Sequence, residues 1–127
     1  MNFDRALRVA NIIEEGKIGG PQKRMLAVAS TLGKKIDTTL LFPKKNSKEL
    51  QNRSDELSVK YLLFPTTTLR RDWITIIKYL FFFIFEVMML SRLLKKYKFD
   101  ILHISGGSWQ YKGVLAAKIA GIKSVWH

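Results

Sequence analysis

Arg8-Val9-Ala10-Asn11-Ile12-Ile13 runs into Glu14-Glu15-Gly16-Lys17-Ile18-Gly19-Gly20-Pro21, and the architecture expected for the chain starts here. A short, mostly apolar run that opens into a glycine-rich turn reads as a buried strand followed by a loop. Pro21 suits the start of a helix, where its missing N–H has no intrahelical partner to lose. The helix that follows is expected to place Met25, Leu26, Val28, Ala29 and Leu32 on one face and to stop near Gly33. The unit is strand, glycine loop, helix.

Outward from this unit the alternation continues. Thr38 to Phe42 is β-branched and apolar and ends at Pro43, Ser47 to Leu57 is a polar, weak helix, and Val59 to Phe64 is a third strand stopped by Pro65. After a loop over 66–72, a long helical segment runs from Trp73 to Tyr97. Asp100 to Ser105 is a fourth strand, Gly106 and Gly107 a turn, Trp109 to Ala120 a helix stopped by Gly121, and Ile122 to Trp126 a fifth strand. Such alternation predicts βαβ units, whose right-handed crossovers produce a parallel sheet covered on both faces. Near-continuous apolar strands are what double burial requires. The expected fold is α/β, a Rossmann-like doubly wound three-layer αβα sheet of about five strands in the order 3-2-1-4-5. That order puts the first glycine turn at the switch point where ligands bind. With no further strand or helix after His127, the domain is expected to be incomplete at its C-terminus.

The 127 residues suffice for one domain with a sizeable core, and 47% hydrophobic residues is ordinary for a globular chain. The absence of cysteine removes disulfides and thiolate catalysis and agrees with a reducing compartment. Met1-Asn2-Phe3-Asp4-Arg5 is too polar for a secretory signal, so a cytoplasmic protein is expected. A net charge of +12 points to anionic partners: nucleic acid, phosphorylated metabolites or an acidic membrane leaflet. Bases fall near both ends of the proposed strands, among them Lys17, Lys44, Lys48 and Lys112 at the carboxyl ends and Arg5, Arg8 and Lys60 at the amino ends. The charge therefore reads first as diffuse, solvated surface. Aromatic and basic residues are not interleaved on any strand as base stacking needs, and nucleic acid is not expected as a partner.

The segment from Trp73 to Ser91 is the most apolar of the chain, but Lys78 and Glu86 interrupt it, which argues against a transmembrane span. Its centre is apolar nearly all round, so it is buried on all sides or meets lipid or a partner with its outer face. Two readings stand: a crossover helix packed on the sheet and on a missing part of the protein, or an interfacial helix over 73–98. In the second, Arg92, Lys95, Lys96 and Lys98 reach toward an anionic membrane surface.

The loop Gly16-x-x-Gly19-Gly20-Pro21 matches neither the dinucleotide-binding glycine pattern nor a P-loop, and Pro43-Lys44-Lys45 offers no acid to a ribose. Two adjacent glycines still let backbone N–H groups approach an anion at a helix N-terminus, although such glycines also simply make turns. His103 lies inside the fourth strand, where a satisfied structural histidine is usual, and His127 follows the fifth, at the edge where ligands sit. No Cys-His pair, zinc motif, serine elbow or close pair of loop carboxylates is present. Catalysis here would rest on positioning and electrostatics.

Arg8 to Ile13 with Gly19-Gly20-Pro21-Gln22, Phe99-Asp100-Ile101-Leu102-His103-Ile104, and Gly113 to Ala120 with Gly121-Ile-Lys-Ser-Val-Trp-His127 together resemble the N-terminal half of GT-B glycosyltransferases of the family 4 type. The resemblance covers nearly the whole chain in order. It implies that residues 1–127 are the acceptor-side Rossmann-like domain of a two-domain enzyme whose C-terminal donor-binding domain is absent. Such enzymes are retaining and metal-independent, need no cofactor beyond their nucleotide-sugar donor, and move a sugar to a glycan or lipid-linked acceptor, as in cell-surface polysaccharide synthesis. By resemblance, Gly19, Gly20 and Gln22 would bind the donor or its phosphate, His127 would be the catalytic histidine beside the donor sugar, and His103, Ser105 and Gly106 would lie on the acceptor side. Gln22 stands where many relatives carry an acid. A full-length protein of this kind would be an enzyme, peripheral on the inner membrane face, and this piece alone would not turn over. The alternative is a non-catalytic membrane-recruiting subunit that pairs with a separate donor-binding chain.

Overall fold

The computed structural model describes residues 5–13, 17–31, 36–64, 73–104 and 109–126. Five strands and four helices alternate: β1 (Leu7–Ile12), α1 (Gly20–Thr31), β2 (Ile36–Phe42), α2 (Lys48–Glu56), β3 (Lys60–Leu63), α3 (Trp73–Lys96), β4 (Ile101–Ile104), α4 (Trp109–Ala120) and β5 (Lys123–Trp126). All neighbouring strands are parallel, in the order β3-β2-β1-β4-β5, as the sequence leads one to expect. The connection from β1 goes to one side and the later strands build the other, so the sheet has its switch point at the carboxyl ends of β1 and β4.

Alternation of side chains along the strands splits the core in two. Ala10, Ile12, Leu41, Leu102 and Ile104 pack with Val87, Leu90 and Leu94 of α3 and with Ala116 and Ala117 of α4. On the other face Ile13, Leu40 and Phe42 pack with Met25 and Leu26 of α1 and Leu50 of α2. The buried stripe of α1 is Gln22, Met25, Leu26 and the partly buried Ala29, at i, i+3, i+4 and i+7. Val28, expected on that face, is 46% exposed because it sits at the edge of the stripe. Leu32 and Gly33 lie outside the described residues.

Between α3 and α4 lies a polar contact inside apolar surroundings. Lys112, with 0% of its side chain exposed, donates to Oε2 of Glu86 at 2.5 Å, and its ammonium stands 5.9 Å from the centre of the Phe83 ring. The expectation that Lys112 is a solvated base at the carboxyl rim is therefore corrected: it is buried against an acid. The same pair explains why Glu86 is tolerated within the apolar run. Gly113 follows directly, and it lets α4 approach β4: a Cβ there would stand 2.6 Å from Cδ1 of Ile104.

At the amino ends of the strands, charges meet in a chain. Arg5 grips both carboxylate oxygens of Asp100 at 2.7 and 3.0 Å, and the Arg8 backbone N–H donates to Oδ2 of Asp100 at 2.9 Å. Lys60 donates to Asp37 at 3.0 Å, and Arg8 Nε lies 3.7 Å from the same carboxylate. The Arg8 N–H, with the neighbouring guanidinium of Arg5, holds the Asp100 carboxyl below its usual range, against a smaller opposing effect of burial. Asp100, part of the stretch that carries the family resemblance, thus ties β1 to β4 at the rim opposite the glycine loop. Three of the bases at this rim, Arg5, Arg8 and Lys60, are thus partnered by acids rather than simply solvated.

Candidate functional site

The glycine loop reaches α1 through a capping arrangement. Lys23 N–H donates to the Gly19 carbonyl at 3.1 Å, which makes Gly19 the N-cap residue, and Gly19 N–H donates to Oε1 of Gln22 at 3.0 Å. A side chain at the third helical position reaching back to the N-cap N–H is half of a capping box. Gln22 is 6% exposed and heads the buried stripe of α1, so one face of the helix and its cap are built by the same residue. Next to it Gly20 is exposed, and its N–H, at the first helical position, has no intrahelical acceptor. A Cβ on Gly20 would meet nothing within 4 Å, and its φ is not in the left-handed region. The fold itself therefore does not demand glycine at this position.

Beside the loop, Lys17, Lys44, Asn46, Ser47, Lys48 and Glu49 line an open depression of about 530 Å³. The chain leaves β2 at Phe42, turns through Asn46 at φ 55°, and is held by buried Ser47. The Ser47 hydroxyl donates to the Lys44 carbonyl at 2.7 Å and accepts from Gln51 at 2.9 Å. This turn brings Lys44 and Lys48 to the same hollow as Lys17 from the first loop. Among the described residues none of these three lysines forms an ion pair.

His103 sits one residue before the end of β4, directly opposite Asn11 of β1. Its Nδ1 lies 2.9 Å from Oδ1 of Asn11, so with the amide oxygen on that side the imidazole carries its proton on Nδ1 and donates. Asn11 is 8% exposed and His103 half-buried, on the face of the sheet opposite the Leu102 and Ile104 side chains. Asn11 was not among the expected site residues. Its signal is a lone amide within an apolar strand, which has to find a partner when buried.

Gly19, Gly20 and Gln22 are thus brought together at the head of α1, and His103 belongs to the adjoining strand pair. Ser105, Gly106 and His127 lie outside the described residues. The strand ends that precede them share a row, with Ile12 opposite Ile104 and Ile104 opposite Trp126. An anion at this rim would meet the positive end of α1, the Gly20 N–H and nearby ammonium groups.

No family model and no curated protein sequence matches the chain. Solved structures are similar to it in fold. A glycosyltransferase from Rickettsia africae matches with a TM-score of 0.69 and 15% identity over 95% of this chain and 29% of its own. MurG of Acinetobacter baumannii matches with a TM-score of 0.68 and 19% identity over 95% of this chain and 34% of its own. The C-terminal domain of a hydrogenase from Pyrococcus furiosus matches with a TM-score of 0.60 and 11% identity over 99% of this chain and 94% of its own. At such identities the likeness is one of fold, and the hydrogenase domain illustrates how different the hosts of this fold are. The chain spans about a third of the length of the first two structures.

Proposed function

We propose that residues 1–127 form the acceptor-side domain of a GT-B glycosyltransferase, and that the head of α1 contacts the diphosphate or the transferred sugar of a nucleotide-sugar donor. The observation that carries this reading is Gly20. It is exposed, has room for a side chain and has an unstrained backbone, so a requirement for glycine there would come from a ligand rather than from the chain. Gln22 supports the reading indirectly, by capping the loop and fixing the direction of its N–H groups. The likeness in fold to a glycosyltransferase and to MurG supports it from outside.

In this reading the departing diphosphate is stabilised by the Gly20 N–H, the α1 terminus and Lys17, Lys44 and Lys48. The complete protein would be of family 4 type, retaining and metal-independent, with a following domain that holds most of the donor. His103, oriented by Asn11, would face the acceptor, a glycan or lipid-linked sugar, and His127 the donor sugar. Calorimetry of the complete gene product with a panel of nucleotide sugars tests the reading. One member is expected to bind, and Gly20→Ala is expected to weaken it by about tenfold or more while the unfolding midpoint stays put. Equal affinity in wild type and Gly20→Ala, or no binding by the complete protein, would sink it.

A further inference from the structure

Asn11 and His103 stand opposite each other on β1 and β4, on the face of the sheet that α1 and α2 pack against. Their strand neighbours on that face are mostly apolar. Val9 and Ile101 form the preceding pair, Ile13 follows Asn11, and Val125 lies beside His103 on β5; Lys123, opposite Ile101, is charged and exposed. Asparagine is disfavoured in strands, and burying an amide is costly unless it is bonded. An apolar pair at these two positions would serve the sheet at least as well.

The cover of the sheet changes at His103. On its β1 side Asn11 is 8% exposed, and Ile13, packed with Met25 and Leu26 of α1, is 2% exposed. On its β5 side Val125 is 50% exposed. The half-buried imidazole therefore stands at the step between covered and bare sheet, one residue before the carboxyl end of β4. The bond to Asn11 fixes the chemistry of its other nitrogen. Oδ1 of Asn11 accepts, so Nδ1 of His103, 2.9 Å away, carries the proton, and Nε2 of the neutral ring has a lone pair and no hydrogen. A group that comes to Nε2 must donate, which a hydroxyl can do and a fully ionised phosphate cannot.

We infer that Asn11 is a positioning residue that holds His103 as the Nδ1–H tautomer, and that Nε2 accepts a hydrogen bond from a hydroxyl of an uncharged sugar. The identity of that sugar as the acceptor rests on the proposed sugar transfer. The carboxyl rim then has two parts of different chemistry: the head of α1 and its lysines suit an anion, and the β1–β4 pair suits a neutral polyol. The same lone pair disfavours an anion in place of the hydroxyl, so the pair selects as well as orients.

Nitrogen NMR of the whole chain, at a pH where the imidazole is neutral, tests the tautomer in the wild type alone. His103 is expected to show a protonated Nδ1 and an unprotonated Nε2, and Asn11→Leu is expected to move it toward the Nε2–H form. A wild-type His103 protonated on Nε2 would mean that the Asn11 amide is turned and donates to Nδ1, and it overturns the proposal. Titration with methyl glucoside, methyl galactoside and methyl mannoside, beside inorganic pyrophosphate as the charged probe, tests the ligand. At least one glycoside is expected to shift the His103 Nε2 signal, to leave the Gly20 amide in place, and to bind Asn11→Leu about tenfold more weakly. Pyrophosphate is expected to leave Nε2 in place. An Nε2 signal that no glycoside moves, or that pyrophosphate moves as far, overturns the proposal. Failure of pyrophosphate to shift the Gly20 amide counts against the donor reading of the α1 head and leaves this one standing.

Discussion

At the amino rim of the sheet, Arg5 meets Asp100, and Arg8 and Lys60 share Asp37, so a line of alternating charge crosses β4, β1, β2 and β3. At the carboxyl rim, Lys17, Lys44 and Lys48 surround a hollow and form no ion pair among the described residues. The strands are parallel, so the two rims are chemically distinct: one gathers strand starts, the other strand ends and helix N-termini with their positive dipoles. Base counts along the chain are therefore a poor guide to where an anion would bind. What matters is which bases already have an acid.

Lys112 is the carboxyl-side base that breaks the pattern, and it yields the largest expected effect. Lys112→Met leaves Glu86 charged and buried without its ammonium, and should destabilise the fold by about 3–5 kcal/mol in urea unfolding. Adding Glu86→Leu removes the stranded charge and is expected to recover most of that loss. A cost under about 1 kcal/mol for Lys112→Met would show that the pair is hydrated rather than structural. Next in size, Lys44→Glu with Lys48→Glu should leave stability within about 0.5 kcal/mol, since these are solvated side chains. The same change should weaken nucleotide-sugar binding by the complete protein about tenfold, an electrostatic effect that shrinks with added salt. If stability fell instead, the hollow would be part of the fold's own charge balance.

The smallest effect belongs to the amino rim. Asp100→Asn keeps the shape and one acceptor but removes the charge, and because Arg5 is half exposed the loss should be under about 1 kcal/mol. The folded carboxyl titrates below its ordinary value of 3.8, so its contribution is complete above that pH. It disappears as the pH falls through the lower folded value. Thermal melts of wild type and Asp100→Asn between pH 7 and about pH 2 should therefore converge on the acid side. Parallel curves down to the lowest pH would remove Asp100 from the account of the rim.

Much of this was legible from residues near one another in the chain. Arg8 to Ile13, the glycines and Pro21 announce a strand, a loop and a helix, and all nine elements fall within three residues of their expected bounds. The parallel direction follows from alternation and crossover handedness, whereas the order 3-2-1-4-5 rests on placing the glycine turn at the switch point. Gln22 shows where local reading stops: its place beside the glycines is legible in the sequence, but its role as a cap depends on a side-chain direction that the loop conformation sets. Asn11, seen along the chain, is one polar residue in an apolar run. Its partner His103 is 92 positions away.

Strand and helix periodicity, punctuated by glycine and proline, was enough to establish a parallel α/β sheet, because those signals act over a few residues. Strand register and helix packing had to be in place before Lys112 could find Glu86, Asn11 His103 or Arg5 Asp100. The same packing leaves Val125 bare beside His103, since the part of the sheet that a helix covers depends on where the helix crosses it, a position that no stretch of this chain encodes locally.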